Sequence, residues 1–410
     1  MRRVGVTGLG AISSLGGTLE ENWRSVISGR SGIAVHVMDP GERGPPAQEL
    51  PLARVEPGYA GRLDQALGRP IAGSLDPFAM FVLIPALEAL QQAGLRDDPV
   101  LREDTAVVVG HGLCGVATLE VAYERFFGQR SPRIHPATVP KVMVSAGASA
   151  LAMALHVHGP VFATSSACAS SGHAIAQGAA LIASGEVEVA LVGGSEAAST
   201  CGSIRAWEAI HAMSPTSCRP FSADRDGMIL GEGGAILVLE EVEHARARGA
   251  PLLGELVGVG MSSDAHDITK PAAEGQARAL AKAARAARAL ERTDVLVSAH
   301  GTGTPLNDST EAEALVEVFG EAARKFPVIA TKSAHGHLIG GSAALQAVLG
   351  LRALSEGLAP PIQNFTTHDP ACDLDLVLGA ARPITSGMLL QNAFAFGGLN
   401  VALAFSAGVS

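Results

Sequence analysis

Positive charge, cysteine and aromatic rings are all scarce in this chain. Of 410 residues, 30 are Lys or Arg and 40 are Asp or Glu, a net charge of −10 with His neutral. Such a surface repels phosphate backbones and anionic headgroups, which argues against a dedicated binder of nucleic acid or acidic membrane. Five cysteines are too few, and odd in number, for a disulfide framework. The opening MRRVGVTGLGAISSLGG lacks a sustained apolar core and a clear cleavage site. Both features point to a reducing, cytoplasmic setting. The longest stretch without Asp, Glu, Lys or Arg, 142–185, carries His156, His158, His173 and Pro160 among many Ser and Gly, so it reads as buried soluble core and not as a membrane span.

What is abundant is apolar side chain. Hydrophobic residues make up 47% and charged residues 17%, enough for a large core in two or three units or in one duplicated fold. Short runs rich in Val, Ile and Leu predict strands at 3–7, 106–110, 161–163, 187–193, 235–239, 295–299, 328–331 and 400–405. Ala-rich amphipathic stretches predict helices at 78–93, 170–183, 275–291, 311–319 and 340–355. Their alternation argues for α/β layers around largely parallel sheet. The charged run EEVEHARARG, 240–249, followed by the strand-like LLGELVGVG, divides the chain into 1–249 and 250–410. Residues 38–72, rich in Pro, Gly and charge, read as a surface excursion. Arg278, Lys282, Arg285 and Arg288 form a basic helical stripe, read as a solvated face or a dock for an acidic partner.

Five motifs carry potential chemistry. Gly8-Leu9-Gly10 follows a strand but lacks the third Gly and the distal acid of a dinucleotide fingerprint, so it reads as a Gly-rich turn. Cys168, in TSSACASSG, stands between a strand and a helix, where free N–H groups favour a thiolate; a small buried residue is the other reading. His300, in SAHGTGTP, and His335 and His337, in TKSAHGHL, lie on loops directly after strands, the edge where α/β sheets place their sites. His300, His335 and His337 also allow a metal set, though no carboxylate or second thiolate stands at matching spacing. Finally NAFAFGGLN puts Gly397 and Gly398 before a last strand, with Phe396 placed to line a pocket.

In combination and in order, these motifs resemble the β-ketoacyl-[acyl-carrier-protein] synthases over nearly the whole chain. RPFSADRDG at 219–227 and GEGG at 231–234 add to the likeness. The details are most similar to elongating enzymes of the second ketoacyl-synthase class and to nodulation protein E-like ketosynthases. The resemblance implies a thiolase-like fold, two similar halves in α-β-α-β-α layers with mixed five-stranded sheets. It implies an acyltransferase that needs no cofactor and no metal. It pairs as a homodimer, or as a heterodimer, and takes its substrates from acyl carrier protein. Cys168 would hold the acyl chain, and His300 and His337 would bind malonyl thioester during decarboxylation. Lys332 would pair with Glu311 beside them. Phe396, on the Gly397-Gly398 loop, would gate the tunnel, with 264–271 (DAHDITKP) as a second gate. Leu113, Trp207, Thr302, Thr304 and Phe394 would line the substrate path, and Arg130 and Arg133 would meet the carrier. Leu399 stands where the family usually has Thr. The alternative within this resemblance is a non-catalytic chain-length partner subunit, which typically lacks the nucleophile.

Overall fold

The computed structural model describes residues 2–41, 44–96, 98 and 104–408. Its main strands, in chain order, are β1 (Val4–Ser13), β2 (Thr105–Gly110), β3 (Val161–Thr164), β4 (Val189–Glu196), β5 (Gly233–Glu241) and β6 (Gly254–Ser263). Then come β7 (Val295–Ser298), β8 (Pro327–Ile329), β9 (Asp375–Leu376), β10 (Met388–Ala395) and β11 (Leu399–Ala407). β1, β2, β4, β5 and β7 are buried at every residue, which is why their sequences run apolar without alternation.

The strand order exposes a duplication that the sequence hides. The first half runs β1-β5-β4-β2-β3 and the second β6-β11-β10-β7-β8, with β9 as an extra edge. In each half the first strand lies antiparallel to the fifth and the fifth antiparallel to the fourth; the fourth, second and third are parallel. The halves join where Gly5 and Val6 of β1 pair with Glu255 and Gly254 of β6.

Five helices make the layers: α1 (Pro77–Ala93), α2 (Ser170–Ser184), α3 (Ala273–Ala286), α4 (Pro305–Phe319) and α5 (Ser342–Glu356). α2 and α5 pack on each other between the two sheet halves, where Ala174, Ile175, Ala343 and Ala347 share a core with Val192 and Val401. α1 covers the outer face of the first half, and α3 and α4 that of the second. The chain is thus a thiolase-like α/β fold in α-β-α-β-α layers. No described helix is long and apolar enough to cross a membrane.

Two sequence expectations need correction. Gly8 and Gly10 do not form a turn; they lie inside β1. A Cβ on Gly10 would fall 2.0 Å from the Pro85 carbonyl oxygen, and one on Gly8 2.1 Å from that of Ala89. These glycines let α1 approach the strand. Residues 38–72 are not merely surface: Ala34–Met38 and Gln48–Leu52 form a hairpin. Its Leu50 and Leu52 are buried against Cys168, Ile204 and Leu230. Asn392 to Ala395 belong to β10, so Phe396, Gly397 and Gly398 cap a β10–β11 hairpin.

Candidate active site

Four loops, each at the carboxyl end of a parallel strand, converge over the helix layer. The first links β3 to α2. Ser166 N–H donates to Ser170 Oγ (2.8 Å), and Thr164 Oγ1 donates to the Ser170 carbonyl (2.8 Å). Within this tight turn Ala167 is held at φ 48°, a left-handed value that costs an Ala about 1–2 kcal/mol. Strain of this kind gathers where geometry matters more than comfort. The next residue is Cys168, nearly buried two positions before α2.

Cys168 Sγ lies 3.0 Å from His337 Nε2. His337 Nδ1 lies 2.8 Å from the Ser342 hydroxyl, in the first turn of α5. The His300 ring stands edge-on to His337, centroids 5.5 Å apart at 84°. One ligand-type atom from each of Cys168, His300 and His337 falls within 4.8 Å of the others. His335 is not with them; its Nε2 meets Thr331 Oγ1 at 3.0 Å. The proposed triple-histidine metal set is therefore not assembled.

Lys332 determines the state of His300. Its ammonium donates to the His300 carbonyl (2.5 Å) and to Gln346 Oε1 (2.6 Å), and lies 3.4 Å from His300 Nδ1. An ammonium has donors only, so Nδ1 facing it is the acceptor and Nε2 carries the proton. The expected direct pairing of Lys332 with Glu311 is absent. Glu311 instead accepts from the backbone N–H of His300 (2.8 Å) and Gly301 (2.9 Å) and from Asn392 Nδ2 (3.0 Å). Lysine and carboxylate thus hold the His300 loop from opposite sides, one through its carbonyl and one through its N–H groups.

Burial dominates the electrostatics. It holds His300 and His337 well below the ordinary imidazole range, and the Lys332 charge pushes both further down. Both rings are neutral at physiological pH. Burial also pushes the Cys168 thiol up to about 12, against the opposing pull of Lys332 and of N–H groups from Cys168 and Phe396 that reach the sulfur. The helix-start position therefore does not produce a standing thiolate; desolvation outweighs it.

The group opens into a cavity of about 500 Å³. Trp207, Phe394, Phe396, Thr302 and Thr304 line it, as does the 264–271 loop. Trp207 stacks obliquely on Phe396, centroids 6.0 Å apart. The 264–271 and 396–398 loops are tied together: Gly397 N–H donates to the Ile268 carbonyl (2.8 Å) and Asp264 N–H to that of Gly398 (2.9 Å). Leu113 is not part of this lining; it is exposed, with its N–H on Glu196. Arg130 and Arg133 are exposed and lie away from the cavity. Sequence reasoning missed Gln346, Ser342 and Asn392. Gln346 is an isolated amide in an otherwise apolar buried segment, and Asn392 forms with Gln391 an amide pair in another, and that was the available signal.

A buried Cys thus stands beside two neutral imidazoles at the carboxyl edge of the sheet in a duplicated, thiolase-like α/β fold. The family profile for the β-ketoacyl synthase N-terminal domain matches residues 1–245, and that for the C-terminal domain matches 253–366. The chain belongs to the β-ketoacyl synthase family, enzymes of the acyltransferase class. It is 38% identical to nodulation protein E of Rhizobium sp. strain N33 over 98% of this chain and 99% of that one. It is 35% identical to the 3-oxoacyl-[acyl-carrier-protein] synthase 2 of Synechocystis, over 98% of each. Among solved structures it matches the ishigamide ketosynthase/chain length factor with a TM-score of 0.89 at 31% identity, over 99% of each chain. It also matches a type II polyketide ketosynthase in complex with its acyl-carrier protein, with a TM-score of 0.86 at 27% identity, over 99% of each chain.

Proposed function

We propose that this chain elongates carrier-bound acyl chains by decarboxylative Claisen condensation. The observation that carries the reading is the 3.0 Å approach of Cys168 Sγ to His337 Nε2, beside a His300 whose Nε2–H is fixed as a donor. The Cys168 thiol attacks the acyl thioester, and its proton passes to neutral His337 and on to the departing carrier thiolate. Malonyl carrier protein then enters. The Nε2–H groups of His300 and His337 bind its thioester oxygen while the C–C bond to the carboxylate breaks and carbon dioxide leaves. The enolate carbon attacks the acyl-Cys168 carbonyl, whose oxyanion faces the N–H groups of Cys168 and Phe396. Collapse expels the Cys168 thiolate, which is reprotonated, and frees 3-oxoacyl carrier protein.

This scheme asks His337 to accept a proton in one half-reaction and to donate in the other. Its partner, the Ser342 hydroxyl, can be either donor or acceptor, so both tautomers are supported. His300, fixed by an ammonium, has no such freedom. On this reading residues 1–249 supply the nucleophile, and residues 250–410 supply both imidazoles, Lys332 and the Phe396 gate. Leu113, placed outside the cavity, is not retained as a pocket residue.

Acyl carrier protein is the proposed substrate donor. Arg130 and Arg133 are exposed, and Arg133 borders a groove of about 430 Å³ with Arg125 and Lys141, a local cationic surface on an acidic chain. A second subunit is proposed at the edge strand β3, where exposed Phe162 and Met153 adjoin. The five free cysteines fit a reducing, cytoplasmic setting.

The test supplies acyl and malonyl carrier protein and measures 3-oxoacyl product and carbon dioxide. Wild type should yield both, and Cys168→Ala should yield no condensation product. Absence of product from wild type with all partners present would overturn the reading.

A further inference from the structure

Glu196 ends β4 and is wholly buried, yet no step of the condensation uses it. Its carboxylate accepts from the backbone N–H groups of Gly112 (2.9 Å), Leu113 (3.2 Å) and Gly340 (3.1 Å). Gly112 and Leu113 lie just past β2. Gly340 lies between His337 and Ser342, the hydroxyl that faces the imidazole. The two segments cross at backbone contact: a Cβ on Gly340 would fall 2.3 Å from Gly112 N, and one on Gly112 2.6 Å from Ile339 Cγ2. Ile339, between His337 and Gly340, is held at φ 37°, a true outlier for a β-branched residue. Such strain persists only where the surroundings over-determine it. The three N–H bonds to Glu196 supply that constraint.

We propose that Glu196 is a positioning residue for the condensation, fixing Gly340 and through it the Ser342 hydroxyl against His337 Nδ1. The inference rests on the role given to His337 above. One oxygen, Oε2, takes both Gly112 and Gly340, so the loop carrying Leu113 and the loop carrying the imidazole are held to one another. The reach of that oxygen matters more than its charge. Burial pushes the Glu196 carboxyl up to about 8, and a protonated carboxyl or an amide still offers an accepting oxygen.

Two conservative variants separate reach from charge. Glu196→Asp keeps the carboxyl group and withdraws the oxygens by one methylene; Glu196→Gln keeps the reach and replaces the carboxyl with an amide that cannot ionise. The readouts are malonyl-carrier decarboxylation and, separately, iodoacetamide alkylation of Cys168. Glu196→Asp should lower decarboxylation about 10²-fold, the scale of one misplaced oxyanion donor. Alkylation of Cys168 should slow as well, since the clamp holds the His337 base that lies 3.0 Å from the sulfur. Glu196→Gln should restore decarboxylation to within about fivefold of wild type, the rescue a reach-based role requires. Ser342→Ala, which cuts the link beyond the clamp, should reproduce the loss of decarboxylation even if Glu196→Asp does not fold. Its combination with Glu196→Asp should be no worse than the poorer single variant. Wild-type decarboxylation in folded Glu196→Asp or in Ser342→Ala overturns the inference. So does a Gln variant as poor as the Asp variant, or additive losses. A wild-type enzyme that does not decarboxylate malonyl carrier protein is a different result and overturns the proposed function instead.

Discussion

At Cys168 the local sequence and the surrounding fold pull in opposite directions. The helix start and Lys332 favour a thiolate, and burial favours the thiol by more. The sulfur therefore depends on a neutral base at contact distance, which His337 provides. Removing the Lys332 charge by Lys332→Met should move the pH profile of Cys168 alkylation upward, because the ammonium lowers the thiol. The same change frees the His300 tautomer, so decarboxylation should fall by about 10²–10³, the scale of a lost oxyanion donor. A second expectation concerns acid. His300 and His337 are held well below 6.5, so they stay neutral as the pH drops. Neither imidazole should imprint a titration near 6.5 on decarboxylation, whereas an unshifted one would lose about tenfold of its neutral form between pH 7.5 and 5.5. A half-maximum near pH 6.5 would contradict this. Cys168, His300 and His337 were picked out in the sequence by the order of motifs that resembles the β-ketoacyl synthases, since each alone also reads as a structural residue on a loop after a strand. The partners that set their states were not. Gln346 and Ser342 reach the site from a central helix, and Glu311 turned out to bond N–H groups and not the lysine. Contacts of that kind depend on how layers stack, which spacing along a chain does not encode.

At the scale of elements, the strand–helix alternation was readable and the glycines were not. GLG at residues 8–10 looked like a turn because glycine marks turns far more often than tight helix–sheet contacts. The hairpin at 34–52 was hidden because Ala34–Met38 is mostly exposed and Pro51 interrupts the short apolar run Leu50–Leu52, all of it buried. The β10–β11 hairpin allows a sharper test. Gly397 and Gly398 sit at φ 79° and 67°. A Cβ on Gly397 meets nothing closer than 3.8 Å, whereas one on Gly398 would fall 2.5 Å from Asp264 Cβ. Gly397→Ala should cost only the dihedral strain, about 1–2 kcal/mol by thermal unfolding. Gly398→Ala adds a clash with the opposing loop and separates the pair that spans the cavity mouth. Condensation should fall at least about tenfold further in Gly398→Ala than in Gly397→Ala, with Cys168 alkylation faster as the mouth opens. Equal effects of the two substitutions would remove the loop–loop contact from the account.

On the scale of the whole molecule, the sheet ends at β3, which pairs on one side only with β2. An open parallel edge invites pairing with another chain. Two large apolar residues there are unusual for a free surface: Phe162 on β3 is 36% exposed, and Met153, on the helix packed against β3, 67%. A cluster of large apolar side chains beside an open edge marks an interface between chains. Charge placed there should break it. If the wild type sediments at twice 41.8 kDa, the double variant Met153→Glu with Phe162→Glu should sediment as the monomer. Both substituted side chains lie outside the Cys168 cavity. Alkylation of Cys168 in the monomer therefore reports whether the catalytic group survives without a neighbour. The same experiment decides the identity of the second chain. If the isolated wild type is already dimeric and condenses acyl chains, two copies of this chain suffice. If it is monomeric and gains condensation only when a second ketosynthase-like subunit is added, the apolar face belongs to a heterodimer, with Cys168, His300 and His337 on this side of it.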